Sequence, residues 1–139
     1  YNELAEADGF PVANHFIMTH YIDGQHSIGM HYDKPRSIQA NSLITVIKTG
    51  EHGRPFRLET LDGALIMERV LAPGTAVVMT LEANLKTKHG VPAVAEAGSS
   101  GSIVFRSITD RVAWSTLKKE LAKFYAEKDK KRKAGEMEK

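Results

Sequence analysis

His31, Tyr32 and Asp33 set an imidazole and a carboxylate two residues apart. Successive side chains on a β-strand point to opposite faces, so in an extended segment His31 and Asp33 share one face and can hold one metal ion. A second histidine from a distant segment would complete a set of two imidazoles and one carboxylate. Such a set leaves three positions of an octahedral ion open, which suits Fe(II) that must also bind small reactants. Five other histidines, at 15, 20, 26, 52 and 89, are available for that place. His15 and His20 have opposite parity on one extended segment, which argues against a shared ion and for surface or partly buried roles, as for His26 and His52. Arg106, at the end of the apolar run Ile103-Val104-Phe105, offers a planar cationic fork suited to a carboxylate. A His-x-Asp triplet alone is common by chance, and its surroundings decide its meaning.

Strands are needed to position these groups, and the pattern supplies them. Residues 13–21 alternate and favour extended structure, and 28–33 form a short strand after the Asp23-Gly24 turn signal. Residues 42–49 are β-branched and apolar, as expected of a central strand. Strands over 54–61 and 64–72 flank Asp62-Gly63, a strong hairpin signal. Pro73-Gly74 turns into a strand over 75–81, and 101–108 closes a set of seven, which indicates a barrel or sandwich. After Thr109 and Asp110, either able to cap a helix, the period changes. Trp114, Leu117, Leu121, Phe124 and Tyr125 recur at helical spacing and form a stripe for packing on the domain or on a partner chain. Beyond Lys128 the apolar residues run out, and the helix is expected to fray.

The 139 residues are expected to form a single domain, with a β core over 1–110 and a helix with a basic tail over 111–139. No apolar run is long enough to span a bilayer and no signal peptide is visible, so an intracellular protein, nuclear or cytoplasmic, is expected. The lack of cysteine excludes disulfides and thiolate metal sites. The chain opens at Tyr1 rather than Met and reads as a piece of something longer. From Lys118 onward nine Lys/Arg face five Asp/Glu, whereas the preceding residues carry ten and twelve. The core is therefore not basic. The run 128–133 reads first as a solvated helix end, and second as a weak, salt-sensitive contact to a phosphate backbone.

Tyr21-Ile22-Asp23-Gly24 followed by Ile28-Gly29-Met30-His31-Tyr32-Asp33 resembles the metal strand of the AlkB-like branch of the Fe(II)/2-oxoglutarate dioxygenases, roughly Asn-x-Tyr-x-x-Gly-x-x-x-Ile-Gly-x-His-x-Asp. Ala72-Pro73-Gly74-Thr75-Ala76-Val77-Val78-Met79 is similar to the family's glycine-led apolar strand. His89 falls where the family has its distal histidine, and Ser102-Ile103-Val104-Phe105-Arg106 is similar to its closing Asn-Leu-Thr-Phe-Arg. The ordered blocks run from Asn14 to Arg106, about two thirds of the chain. The resemblance implies a mainly β fold, a jelly-roll-like double-stranded β-helix with a C-terminal α-helix added, and His31, Asp33 and His89 as the ligands of Fe(II). It also implies 2-oxoglutarate and dioxygen as cosubstrates, ascorbate as an accompanying reductant, and hydroxylation of a C–H bond. An alkylated or methylated nucleobase is the leading substrate, with a nucleic acid as partner. The 5-methylpyrimidine oxidation of the TET/JBP group is the alternative within that chemistry. A non-catalytic module that keeps the fold for binding is the alternative outside it.

Several positions depart from the family's pattern. The family carries two arginines six residues apart on the closing strand. Arg106 matches the second, while the first falls at Ser100. Either Arg106 holds the distal carboxylate of 2-oxoglutarate with help from serine hydroxyls and Tyr21, or the cosubstrate differs. Lys88 and Arg111 are cations that match no family position. Thr19 replaces the usual asparagine and keeps a hydroxyl donor. Pro35 stands where base-repairing relatives often have an acidic residue, which weakens recognition of an exocyclic amine. The nucleotide-recognition lid that normally precedes the metal strand has only thirteen residues before Asn14 to occupy. Arg54-Pro55-Phe56-Arg57-Leu58 is similar to an Arg-x-Phe-x-Phe strand of some relatives and is assigned to the barrel wall.

Overall fold

The computed structural model describes residues 2–110 and 113–137 and, of residues 4 and 129–137, the backbone alone. Up to Thr109 they form one compact unit and from Asp110 a second. The first unit opens with a short helix, α1 (Asn2–Ala7). Eight strands follow: β1 (His15–Tyr21), β2 (Ile28–His31), β3 (Leu43–Gly50), β4 (Arg54–Thr60), β5 (Leu65–Leu71), β6 (Ala76–Thr80), β7 (Thr87–Val91) and β8 (Ser100–Arg106). A second helix, α2 (Leu81–Lys86), separates β6 from β7. The second unit is one helix, α3 (Trp114–Met137).

The strands form two four-stranded sheets, ordered β1-β8-β3-β6 and β2-β7-β4-β5, with every pair antiparallel. Consecutive strands mostly alternate between the sheets, which makes this the double-stranded β-helix expected from the sequence. Among the described residues no helix is long and apolar enough to cross a membrane.

Three differences from the sequence reading bear on function. β7 was not expected, because Thr87-Lys88-His89-Gly90-Val91 has neither alternation nor β-favouring composition. β2 ends at His31, so Asp33 lies in the following segment rather than on the strand. α3 continues to Met137 instead of fraying after Lys128, its final stretch being rich in Lys and Arg, which are good helix formers. Arg111 lies outside the described residues.

Ile38, Ile44, Phe56, Leu71 and Met79 form the buried core, flanked by Met67, Val77, Leu81, Ala83 and Val104. The hairpin at Asp62-Gly63 forms as its sequence dictates, with Gly63 at φ +96°, a conformation that disfavours any side chain. Gly24 is required for a different reason. A Cβ there would stand 1.8 Å from the carbonyl oxygen of Val94, so the β1–β2 turn packs backbone to backbone on the segment after β7.

Candidate metal centre

Strand parity gives one inner stripe to each of three neighbouring strands: Ile17, Thr19 and Tyr21 on β1, Ser102, Val104 and Arg106 on β8, and Val46 on β3. These side chains face Phe56, His31 and His89 from the other sheet across a cavity of about 210 Å³.

His31 and His89 face each other across the β2–β7 pair because of a local irregularity. Ile28 pairs with Val91, and an unbroken ladder would then set Met30 opposite His89. One extra residue on β2 makes His31 the partner instead. Gly90 accommodates this, since a Cβ there would meet the Met30 sulfur at 2.8 Å and the Ile28 carbonyl at 2.9 Å. The two imidazole centroids are 4.6 Å apart, and Phe56 stacks on the far side of His89 at 5.9 Å.

Asp33 reaches the same place from the loop through Asn84, a fully buried residue of α2. The Asp33 amide donates to Asn84 Oδ1 at 2.8 Å, and Asn84 Nδ2 donates to the Asp33 carbonyl at 2.9 Å. The side-chain amide thus takes the place of a neighbouring strand. α2 is held in turn by its Thr80 cap, whose hydroxyl accepts from the Ala83 amide at 3.1 Å.

One ligand atom from each of His31, Asp33 and His89 lies within 4.8 Å of the others, the one such group among the described residues. His31 Nδ1 is 2.9 Å from the Gly29 carbonyl and, as the donor there, leaves Nε2 with a free lone pair 3.7 Å from Asp33 Oδ1. Burial foremost, then the nearby His31, with Arg106 adding and Asp33 opposing, brings His89 down to about 4, so its ring is neutral near pH 7. Asp33 Oδ2 is buried and has no hydrogen-bond partner. A neutral imidazole, a second imidazole with its lone pair exposed and an unsatisfied carboxylate oxygen fit a divalent ion, which at about 2.1 Å from each atom would draw them to roughly 3 Å apart.

The other expected site residues divide into two groups. Arg106 stands beside the ligand cluster, its guanidinium 2.7 Å from Asp33 Oδ1. Tyr21 and Ser100 lie towards the opposite end of the strands, where they pair with each other across β1 and β8, and Thr19 lies between, paired with Ser102. Six residues along β8 separate Ser100 from Arg106, roughly 20 Å. Of the residues expected to hold one cosubstrate, Arg106, Thr19 and Tyr21 are therefore spread along the cavity and Ser100 is not among its lining residues, so the four are not gathered around one carboxylate. Lys88, of opposite parity to His89, is not among the cavity-lining residues. His20 contacts the Ser99 hydroxyl at 3.0 Å, His26 the Asp23 carboxylate at 2.9 Å and His52 the Ser99 carbonyl at 3.2 Å, away from the cluster.

Two residues beneath Tyr21 had drawn no functional reading from the sequence. Arg54 is fully buried and donates to the backbone carbonyls of Asp23, Gly24, His26 and Pro92. Lys48, 1% exposed, places its ammonium 4.9 Å from the centre of the Tyr21 ring. Asn84 likewise carried no signal, because an asparagine within a short helix reads as surface.

No family model matches the chain, and no curated protein does. Among solved structures the fold is similar to an oxidoreductase of the 2OG-Fe(II) oxygenase family from Burkholderia pseudomallei, at 19% identity and a TM-score of 0.50, over 73% of this chain and 49% of that one. A prolyl-4-hydroxylase from Pseudomonas putida aligns at 19% identity and a TM-score of 0.45, over 71% of this chain and 56% of that one. The chain thus spans about half the length of the Burkholderia structure, and what the two share is the double-stranded β-helix.

Proposed function

We propose that this protein is an Fe(II)- and 2-oxoglutarate-dependent dioxygenase that hydroxylates a C–H bond, with an alkylated or methylated nucleobase as its leading substrate class. The observation that carries the reading is the convergence of His31, Asp33 and His89 at one end of a small cavity, with Asp33 Oδ2 buried and unpartnered. Iron bound there would supply oxidative decarboxylation of 2-oxoglutarate coupled to hydroxylation of the substrate. The chain's own residues do the positioning. Gly29 fixes the His31 ring, Phe56 backs His89, Asn84 holds the Asp33 peptide, and Arg106 orients the Asp33 carboxylate.

The cavity is smaller than the roughly 300–1,000 Å³ typical of sites for drug-sized ligands. It suits a five-carbon acid rather than a nucleotide, so the main substrate approaches from outside. The His31 side chain is 42% exposed against 5% for Asp33, and its edge is the face open to that approach. The nucleobase preference rests on the sequence resemblance alone. Within it, Pro35 begins a single 3-10 turn and its side chain has neither donor nor acceptor, which weakens the reading of an alkylated base through its exocyclic amine and leaves room for a 5-methylpyrimidine.

Anaerobic titration with Fe(II) and then 2-oxoglutarate tests the reading. A visible charge-transfer band, followed in air by 2-oxoglutarate-dependent turnover of methylated oligonucleotides, is the expected result. Absence of the band under saturating iron would remove the dioxygenase reading and leave a binding module. A band without turnover of any nucleobase would remove only the substrate class.

A further inference from the structure

A second cavity, of about 350 Å³, lies between the sheets on the side where β5 ends one and β6 ends the other. Phe56 and Leu58 of β4, Met67 of β5, and Val77 and Met79 of β6 supply its apolar walls. Among the described residues Phe56 alone lines both this cavity and the metal cavity. Its ring lies 5.9 Å from that of His89 and 17° from parallel to it, and Leu58 is the strand partner of His89 across β4–β7. On the opposite sheet Val46, which lines the metal cavity, pairs with Val77 across β3–β6. One aromatic ring on one sheet and one valine pair on the other therefore mark the partition between the two spaces. The lining of the second cavity offers water little to hold. Its two hydroxyls are already engaged with α2: Thr80 accepts from the Ala83 amide at 3.1 Å, and Thr87 donates to the Ala83 carbonyl at 2.8 Å. A buried water needs two to four polar partners, whereas an apolar cavity stays dry and takes up small apolar molecules such as xenon.

We propose that this second cavity admits dioxygen and passes it beside the Phe56 ring to the metal centre. The use made of the gas rests on the dioxygenase reading, whereas the preference for a small apolar molecule is set by the cavity's own lining. Dioxygen carries no charge and no dipole, so it moves favourably from water into apolar surroundings. The metal cavity is open at the His31 edge, and a substrate seated there covers that opening. A small reactant then needs another entrance, and the seam between β5 and β6 is an apolar one. A five-carbon diacid cannot use it, because two carboxylates would lose their water with no donor to receive them. Polarity thus sorts the reactants, with charged ones entering at the ligand end and the uncharged gas from the side.

The test is methionine-methyl NMR on the metal-free protein, since dissolved dioxygen is paramagnetic and speeds the relaxation of groups it visits. Met67 and Met79 line the cavity, while Met18 is 70% exposed and reports collisions from bulk water. Dioxygen should relax Met67 and Met79 more than Met18, with the enhancement extending to the Phe56 ring. Weaker enhancement at Met67 and Met79 than at Met18 overturns the proposal. Val77→Phe, which fills the cavity, should remove the enhancement at Met67 and at the Phe56 ring, and its retention at Phe56 overturns the route. Should that variant not fold, Val77→Ala widens the cavity and should raise the enhancement at both, and no rise counts against the proposal. In the protein loaded with Fe(II) and 2-oxoglutarate, mixing with dioxygen should bleach the charge-transfer band severalfold more slowly in Val77→Phe, with its initial amplitude undiminished. A wild-type rate there overturns delivery from this side. If no band forms, the dioxygenase reading fails by itself, and the measurements on the metal-free protein still support or overturn the gas site and its path to Phe56.

Discussion

At the scale of single residues, the three candidate ligands behave as one unit. His31→Ala, Asp33→Ala and His89→Ala are each expected to abolish Fe(II) or Mn(II) binding in equilibrium titrations while leaving the far-UV spectrum intact, because two remaining ligands make a weak open site. Undiminished affinity in any one would remove that residue from the set. Lys48 makes a prediction of another kind. Burial foremost, with Arg54 adding, brings its ammonium down to about 8 from an ordinary 10.5. Between those values the unfolded chain holds a proton that the folded protein sheds, so the ligand-free protein should gain stability as pH rises from about 8 to 10.5. Lys48→Met should flatten that rise and stabilise the protein at neutral pH, as urea melts at a series of pH values would show. A wild-type slope in the variant would assign the rise to other groups.

At the scale of elements, α2 matters to the site more than its six residues suggest, because Asn84 holds both polar groups of the Asp33 main chain. Asn84→Ala would leave two buried groups unpaired, at roughly 1–3 kcal/mol each, and outer contacts of this kind typically change metal affinity about 10–100-fold. Thermal melts together with metal titration would show both losses. A stability loss without any change in affinity would make Asn84 purely structural. Neither α2 nor β7 was legible beforehand, and for the same reason. The seven expected strands all announce themselves through apolar alternation or turn chemistry. β7 spends its few positions on His89, Gly90 and Lys88, so local pattern gives way to the site. The extra residue on β2 was invisible too, since parity from a straight strand puts His31 and Asp33 on one face directly. In the structure they meet only after the strand has been offset and then ended. Ordered motif spacing located the three ligand residues; long-range hydrogen bonding, which no spacing encodes, determines how they come together.

At the scale of the whole molecule, the basic excess and the described site fall in different parts of the sequence. The excess of Lys and Arg lies beyond residue 117, and the cavity residues lie before 107. Truncation after Glu127 is therefore expected to leave metal and 2-oxo acid binding unchanged. For oligonucleotides, equal affinity and salt dependence with and without the tail would make it a solvated helix end. A uniform loss, with the log–log salt slope reduced by about 0.9 per missing phosphate contact on duplex DNA, would make it a backbone-binding arm. The arginine clamp has a consequence for how this scaffold can vary. Arg54 grips the segment before His31 and the segment after His89 only through main-chain oxygens, at Asp23, Gly24, His26 and Pro92. Main-chain acceptors are indifferent to side-chain identity. Gln25, His26 and Ser27 can therefore be randomised in a library without loosening the grip, whereas Arg54→Lys and Gly24→Ala should both be rejected, the first for lack of a forked donor and the second for its collision with Val94. Freedom to mutate is thus distributed unevenly along the β1–β2 turn, according to which positions lend the clamp only their main chain.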